Sequence, residues 1–471
     1  MSNVIGTYDT KPSKDANLKK ILRIISDLGA ERVFVKKLSP NDNSKNQPYF
    51  GAHFSDIPFI PTGTTVASKT KSNKSPSKKN KNREIKFQAT MKLIWFDAEG
   101  RTYPAPQAKL IYYPQYPEVR LSGFLKGSSV NLSDWMNVEK KGRARGRWMI
   151  LGISTDDTVY AYLATPDSTV AHELNDTKII EINSIFGELR FTQTEIKSTK
   201  IALITRLLEI TELGWIDGQK LESSGIKEPY SASNAGGYTL EAELGIVPNS
   251  VAEPDFLGWE VKQFGITRFP KIGAKPTTLM TPEPNGGFYV ENGVENFVRK
   301  FGYNDKSNKP DRINFGGRHV IGKLCRATNL RLQFSGYDPE NGLITDAAGT
   351  IALISSNDHV AASWSFAKIM DHWKRKHAQA VYIPCMAQKS PTAIKQYKYG
   401  NNIELGIGTS FEMLLAAIAQ GNVYYDPAIK LEEASSTKPK IKRRSQFRIN
   451  HKKISSLYSK YEYLTLGINN T

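Results

Sequence analysis

The sequence predicts a multi-domain α+β chain whose first part is β-rich and whose second part is mixed α/β. Three observations lead there. The chain has 471 residues, and at roughly 150 residues per domain that length suggests two or three domains. Up to about residue 190 the apolar residues come in short alternating runs set between turns, whereas from about 195 long stretches follow helical spacing. Hydrophobic residues make up 39% and aromatics 10%, enough to bury a sizeable core, which excludes global disorder.

Residues 16–29 carry Leu18, Ile21, Leu22, Ile25 and Leu28 on one helical face, closed by Gly29. The following ERVFVKKL alternates and is β-branched, as a strand is. KFQATMKLIWF, AKLIYY, RWMILGIS and TVYAYLAT read as further strands, separated by turn residues such as Glu99-Gly100 and Thr155-Asp156-Asp157. Residues 1–190 are thus expected to form a barrel or pseudobarrel. In the second part, 195–471, a helix is expected around Ile201–Ile210, ending near Gly214. Another is expected from about Val360 to Arg375, and a third over FEMLLAAIAQ, capped by Thr409 or Ser410 and stopped by Gly421. FLGWEVKQF and AVYIPC are strand candidates between them.

The 64 Lys and Arg against 46 Asp and Glu give a net charge of +18, which points to a polyanionic partner, nucleic acid or an acidic membrane surface. Ser68–Arg83 supplies seven of those charges with no acidic and no large apolar residue, so 66–84 reads as a basic, disordered insertion, a loop or tether. A second cluster, Lys438–Lys453, interleaves cations with Phe447 and Ile449 and offers Arg443, Arg444 and Arg448 to phosphates or bases. Two cysteines, Cys325 and Cys385, exclude a disulfide framework and a four-thiolate zinc site. No apolar run reaches the ~18 residues of a membrane span and no signal-peptide core opens the chain, so the expectation is a cytoplasmic protein with no membrane partner.

The chemistry-bearing stretch is Gly236–Phe264. Asp255, Glu260 and Lys262 stand in a D-x4-E-x-K arrangement. Strand alternation sends Glu260 and Lys262 to one face and Trp259 and Val261 to the other. A bend at Leu257-Gly258 allows the Asp255 carboxylate to return to the first face. Two carboxylates and an ammonium at one point suit Mg²⁺-assisted phosphodiester hydrolysis, because Mg²⁺ takes hard oxygen ligands and retains waters. Glu241 is a candidate for a further carboxylate.

With GGYTLEAELGIVPNS followed by PDFLGWEVKQF, this segment resembles the core of the MvaI/BcnI restriction endonucleases and their mismatch-repair relative MutH, within the PD-(D/E)xK superfamily. TSFEMLLAAIAQGNVYYDP and the later RRSQFRI with its downstream LY extend the resemblance over roughly 200–471. It implies that Asp255 and Glu260 hold Mg²⁺, that Lys262 serves the attacking water, and that Glu241 belongs to the catalytic set. It further implies a short palindromic site of the CC-N-GG kind in double-stranded DNA. A monomeric or weakly self-associating enzyme and a cognate DNA methyltransferase in a prokaryotic cell also follow from it.

KKLSPND at Lys36–Asp42 resembles the opening of the EcoRII effector domain, a DNA-binding pseudobarrel with two arms, and AKLIYYPQYPEVRLSG is similar to its later segment. By that resemblance Lys37, Ser39, Asn41 and Asp42 belong to the first arm, and Arg120 and Lys126 to the second. Asn and Ser are suited to base edges and lysines to phosphates. The accessory unit would hold a second copy of the site, deliver the enzyme to DNA, or sense methylation.

Two other readings stay open at this point, a noncatalytic DNA-binding regulator and a strand-nicking repair endonuclease. Arg318 and His319 are further candidates for base contact. His372 and His377 have no cysteine pair nearby and do not make a zinc site. Gly316-Gly317 lacks the Gly-Lys-Ser/Thr of a phosphate-binding loop.

Overall fold

In the computed structural model the chain divides into two units, Met1–Glu195 and Ile196–Thr471. The structure describes residues 10–40, 47–68, 85–137, 139–189, 199–248, 255–270, 275–307, 309–389 and 395–467. The architecture is mixed α/β and rich in strands. Asn41, Asp42 and most of the Ser68–Arg83 run lie outside the described residues.

The first unit holds a seven-stranded and a five-stranded sheet. In the larger sheet Ala30–Lys37 lies between Gly187–Leu189 and Trp148–Ser154, antiparallel to both. The expected helix is present as Leu18–Asp27, with the Asn17 side chain accepting from the Lys20 amide at 2.8 Å, and it buries Leu18, Ile21 and Ile25. Its approach to the sheet depends on Gly152, where a Cβ would meet the Ile25 side chain at 2.4 Å. KFQATMKLIWF, expected as one run, is two strands. Phe87–Thr90 joins the five-stranded sheet and Leu93–Phe96 the seven-stranded one. One apolar run serves both because a short break at Met91-Lys92 lets the chain change sheets. Phe34 stacks on Phe59 with centroids 4.2 Å apart, and Phe50 and Phe59 both meet Phe186.

The second unit is organised around a six-stranded sheet. Gln379–Lys389 is its spine, with Asn402–Ile407 and Lys395–Tyr399 antiparallel to it and Glu260–Gly265 parallel to it. Helices Thr199–Glu212 and Ala235–Glu243 pack on one face. Leu203, Leu207, Ile210, Ala235 and Leu240 bury there against Trp259, Val261, Val381, Ile383 and Leu405. The helix Phe411–Ala419 starts at Ser410, whose hydroxyl accepts from the Met413 amide at 3.1 Å.

The helix expected from Val360 begins later. Val360–Ser365 is a strand paired with Thr350–Ile354, and the helix runs Phe366–Lys376 with Ser365 as its cap. Local periodicity could not see that edge pairing, which decides the state of a short apolar segment.

Candidate active site

Residues 255–260 form a tight hairpin. Phe256 and Trp259 exchange backbone hydrogen bonds of 2.9 and 2.8 Å, with Leu257 and Gly258 at the tip at φ +47° and +86°. One leg carries Asp255, and the other continues into the strand Glu260–Gly265. The Val261 amide donates to Asp255 Oδ2 at 2.9 Å, so the hairpin returns the aspartate to the start of the strand. Lys262 Nζ donates to Glu260 Oε1 at 2.5 Å, and Glu260 is only 1% exposed.

The two faces of this strand differ as strand alternation expects. Trp259 and Val261 sit in the apolar core under the helices. On the other face Lys262 is in register with Tyr382, which is in register with Glu404. This buried polar layer is joined by side-chain hydrogen bonds. The Tyr382 hydroxyl meets that of Tyr458 at 2.8 Å, and His451 Nε2 lies 3.2 Å from Glu404 Oε1. His451 Nδ1 lies 3.0 Å from Thr277 Oγ1, Tyr461 donates to Glu404 Oε2, and the His451 ring stacks on Phe264 with centroids 3.6 Å apart.

Burial works to lower the Lys262 pKa, but the Glu260 charge and hydrogen bond, with Asp255 close by, outweigh it and hold the ammonium above its ordinary range. Burial raises the Tyr382 phenol well above its ordinary value, so it stays neutral. The arrangement therefore offers two carboxylates of hard oxygen donors and one fixed cation. Hydrogen bonds among the described residues engage only Oδ2 of Asp255.

Glu241 is half-buried on the helix Ala235–Glu243, whose Ala235 and Leu240 pack into the apolar core with Trp259 and Val261. Among the described residues no three or more His, Cys, Asp or Glu side chains converge as a metal cluster.

The candidate DNA contacts are dispersed. Lys37 is exposed, donates to Asn175 Oδ1 at 3.1 Å and lies over the Trp148 ring. Ser39 is exposed, and its carbonyl accepts from Arg147 at 3.0 Å. Arg120 pairs with Glu118 at 2.6 Å and lies over Tyr113, while Lys126 is exposed. Arg443 and Arg444 are exposed between the strands Lys440–Lys442 and Phe447–Ile449. Arg448 is instead tied to Asp426 at 2.8 Å and to the Pro276 carbonyl. His319 is fully buried with Nε2 2.8 Å from Thr328 Oγ1, which removes it as a base reader, while Arg318 is exposed over the Tyr424 ring. His377 is buried as well, its Nε2 3.1 Å from the Leu279 carbonyl. Both cysteines are free and buried. Among the described residues no helix is long and apolar enough to cross a membrane.

Tyr382, Glu404 and His451 carry no local sequence signal, and Tyr458 enters the sequence reading only as part of the LY downstream of RRSQFRI. Tyr382 lies in a segment read only as a strand, and the pairs that define the layer are separated by 47 to 174 residues. Arg147, which ties the segment after the first strand, was missed for the same reason.

A family model for the MvaI/BcnI restriction endonucleases matches residues 204–458. Two solved structures of restriction endonuclease MvaI are similar to the chain. In complex with cognate DNA the match has 18% identity and a TM-score of 0.42, covering 57% of this chain and 99% of that one. Without DNA it has 17% identity and a TM-score of 0.31, covering 58% and 100%. No curated protein sequence matches the chain. The family model spans more than half of the 471 residues and includes the hairpin, the strand and the polar layer apart from Tyr461. The chain therefore belongs to the MvaI/BcnI restriction endonuclease family and is a type II restriction endonuclease.

Proposed function

We propose that the enzyme is a Mg²⁺-dependent, sequence-specific endonuclease that hydrolyses both strands of DNA at a short palindrome of the CC-N-GG kind. The observation that carries this reading is the 2.5 Å contact of Lys262 with Glu260 beside an Asp255 that the Val261 amide orients. The donor set fits the ion: Asp255 and Glu260 are the hard oxygen ligands that Mg²⁺ takes, and two carboxylates with retained waters are its usual protein share. When bound there, Mg²⁺ supplies Lewis acidity toward the phosphate and a water of lowered pKa.

Lys262 then has two tasks. Its ammonium orients the attacking water and offsets charge that develops on the phosphoryl oxygens, and its position is set in advance by Glu260. Glu260, buried at the start of the strand, keeps the lysine charged and in place. Asp255 fixes the second oxygen direction, so the phosphate meets a preset geometry rather than one assembled on binding. Glu241, half-buried on the helix Ala235–Glu243, is read as a further carboxylate of the catalytic set.

The N-terminal unit is read as an accessory DNA-binding pseudobarrel, with Lys37, Ser39, Asn41 and Asp42 in one arm and Arg120 and Lys126 in the other. Arg443 and Arg444 are read as backbone contacts of the catalytic unit. The catalytic unit would act as a monomer, in a prokaryotic cytoplasm, alongside a DNA methyltransferase that protects the same site. Incubating purified protein with plasmid in Mg²⁺ and mapping the ends tests the reading. Defined double-strand ends at one palindrome are expected. Single-strand nicks would favour a repair nickase, and intact plasmid a noncatalytic binder.

A further inference from the structure

The tip of the catalytic hairpin breaks a local rule. Two-residue hairpin loops with both central residues at positive φ are turns that favour Asn-Gly or Asp-Gly, because a branched or bulky first residue crowds its own backbone there. Gly258 satisfies that requirement at φ +86°, but the first position holds Leu257 at φ +47°. Burial does not compensate, since Leu257 is 56% exposed while its flanking Phe256 and Trp259 pack into the core. A left-handed backbone that a non-glycine residue keeps without a packing reward is a feature to explain by function.

Its place in the chain says which function. Asp255 and Glu260 lie on the two legs of this one hairpin. Chain connectivity keeps the Leu257 Cα within about 7.6 Å of the Asp255 Cα. Successive nucleotides of a strand are ~3.4 Å apart along the duplex axis. A phosphate held at the carboxylates would thus lie within a few nucleotide spacings of the hairpin tip.

We propose that Leu257 is a positioning residue for DNA cleavage. Its side chain packs on the deoxyribose and base edge of the nucleotide beside the scissile phosphate, and so sets that phosphate against Asp255, Glu260 and Lys262. This rests on the reading of the site given above. The apolar tip takes the sugar and base surface of the strand, the part of DNA that the surrounding charged groups do not bind.

Three variants of the full chain test it, with single-turnover cleavage of a short cognate duplex in Mg²⁺ and thermal melting as readouts. Leu257→Asn relieves the backbone and is expected to raise Tm by about 2 °C while cleaving about tenfold more slowly at saturating enzyme. Leu257→Met keeps an apolar side chain and is expected to cleave within about twofold of the native rate. Native-rate cleavage by Leu257→Asn, or equal loss in Leu257→Met, overturns the proposal. Glu260→Ala separates the two levels. If it is inactive while Leu257→Asn is native-like, only the role of Leu257 falls. If Glu260→Ala cleaves at the native rate, the site reading falls and this inference with it.

Discussion

The amide of Val261 donates to Asp255 Oδ2 at 2.9 Å, so the strand that bears Glu260 and Lys262 also aims the carboxylate that precedes it. A backbone donor is a rigid guide, since it moves only with the sheet. The strand itself is held parallel to Gln379–Lys389 over six register pairs, from Glu260 opposite Ala380 to Gly265 opposite Cys385. The register of the candidate site is thus set by the strand Gln379–Lys389 along the whole of Glu260–Gly265.

Removing either end of the Lys262–Glu260 contact is expected to abolish cleavage without abolishing binding. Glu260→Ala and Lys262→Ala should each slow single-turnover cleavage by about 10³-fold or more. Gel-shift affinity for cognate DNA in Ca²⁺ should stay within a few-fold. Native-like cutting by either variant would sink the assignment.

Chelation should be reversible. EDTA is expected to stop cleavage and added Mg²⁺ to restore it. Titration calorimetry without DNA gives a second reading, in which Asp255→Asn combined with Glu260→Gln loses the heat of Mg²⁺ binding. Unchanged heats in that double variant would place the ion elsewhere.

Arg147 should matter for stability rather than chemistry. It is buried, and its guanidinium donates to the carbonyls of Trp135, Ala144 and Ser39 at 2.6, 2.9 and 3.0 Å. Burial brings its pKa down to about 10. Arg147→Met strands three acceptors and is expected to cost about 3 kcal/mol in urea unfolding. Arg147→Lys should recover only part of this, because an ammonium cannot reproduce the planar fork.

Lys36 should make the first unit more stable in alkali. It is 7% exposed, faces the Phe186 ring at 5.7 Å, and burial brings its pKa down from 10.5 to about 8. Between those values the unfolded chain binds more protons than the folded one, so stability rises with pH over that window. Below about pH 8 the full penalty applies, on the order of 3 kcal/mol. Lys36→Met is expected to be about 2 kcal/mol more stable at pH 7, with the gain shrinking toward pH 10. A gain that does not depend on pH would show that packing, not charge, is the cause.

Much of the candidate site was legible along the chain because it is local. Asp255, Glu260 and Lys262 lie within eight residues of one another, and the alternation of a strand determines which of their side chains share a face. The bend at Leu257-Gly258 was legible from its glycine, and the cap of the Phe411–Ala419 helix from Ser410. The +18 charge pointed to a polyanion, and the family match assigns that partner as DNA.

What only the tertiary structure decided depends on contacts between distant residues. The Val360–Ser365 segment is a strand because Thr350–Ile354 lies beside it. His319 cannot reach a base because the fold buries it against Thr328, and Arg448 is held by Asp426. The polar layer of Tyr382, Glu404, His451 and Tyr458 exists because sheet register and a returning chain bring four remote segments together. Sequence spacing carries short-range geometry, where the covalent chain limits the options. Which distant groups meet is decided by packing and hydrogen-bond satisfaction summed over the whole unit.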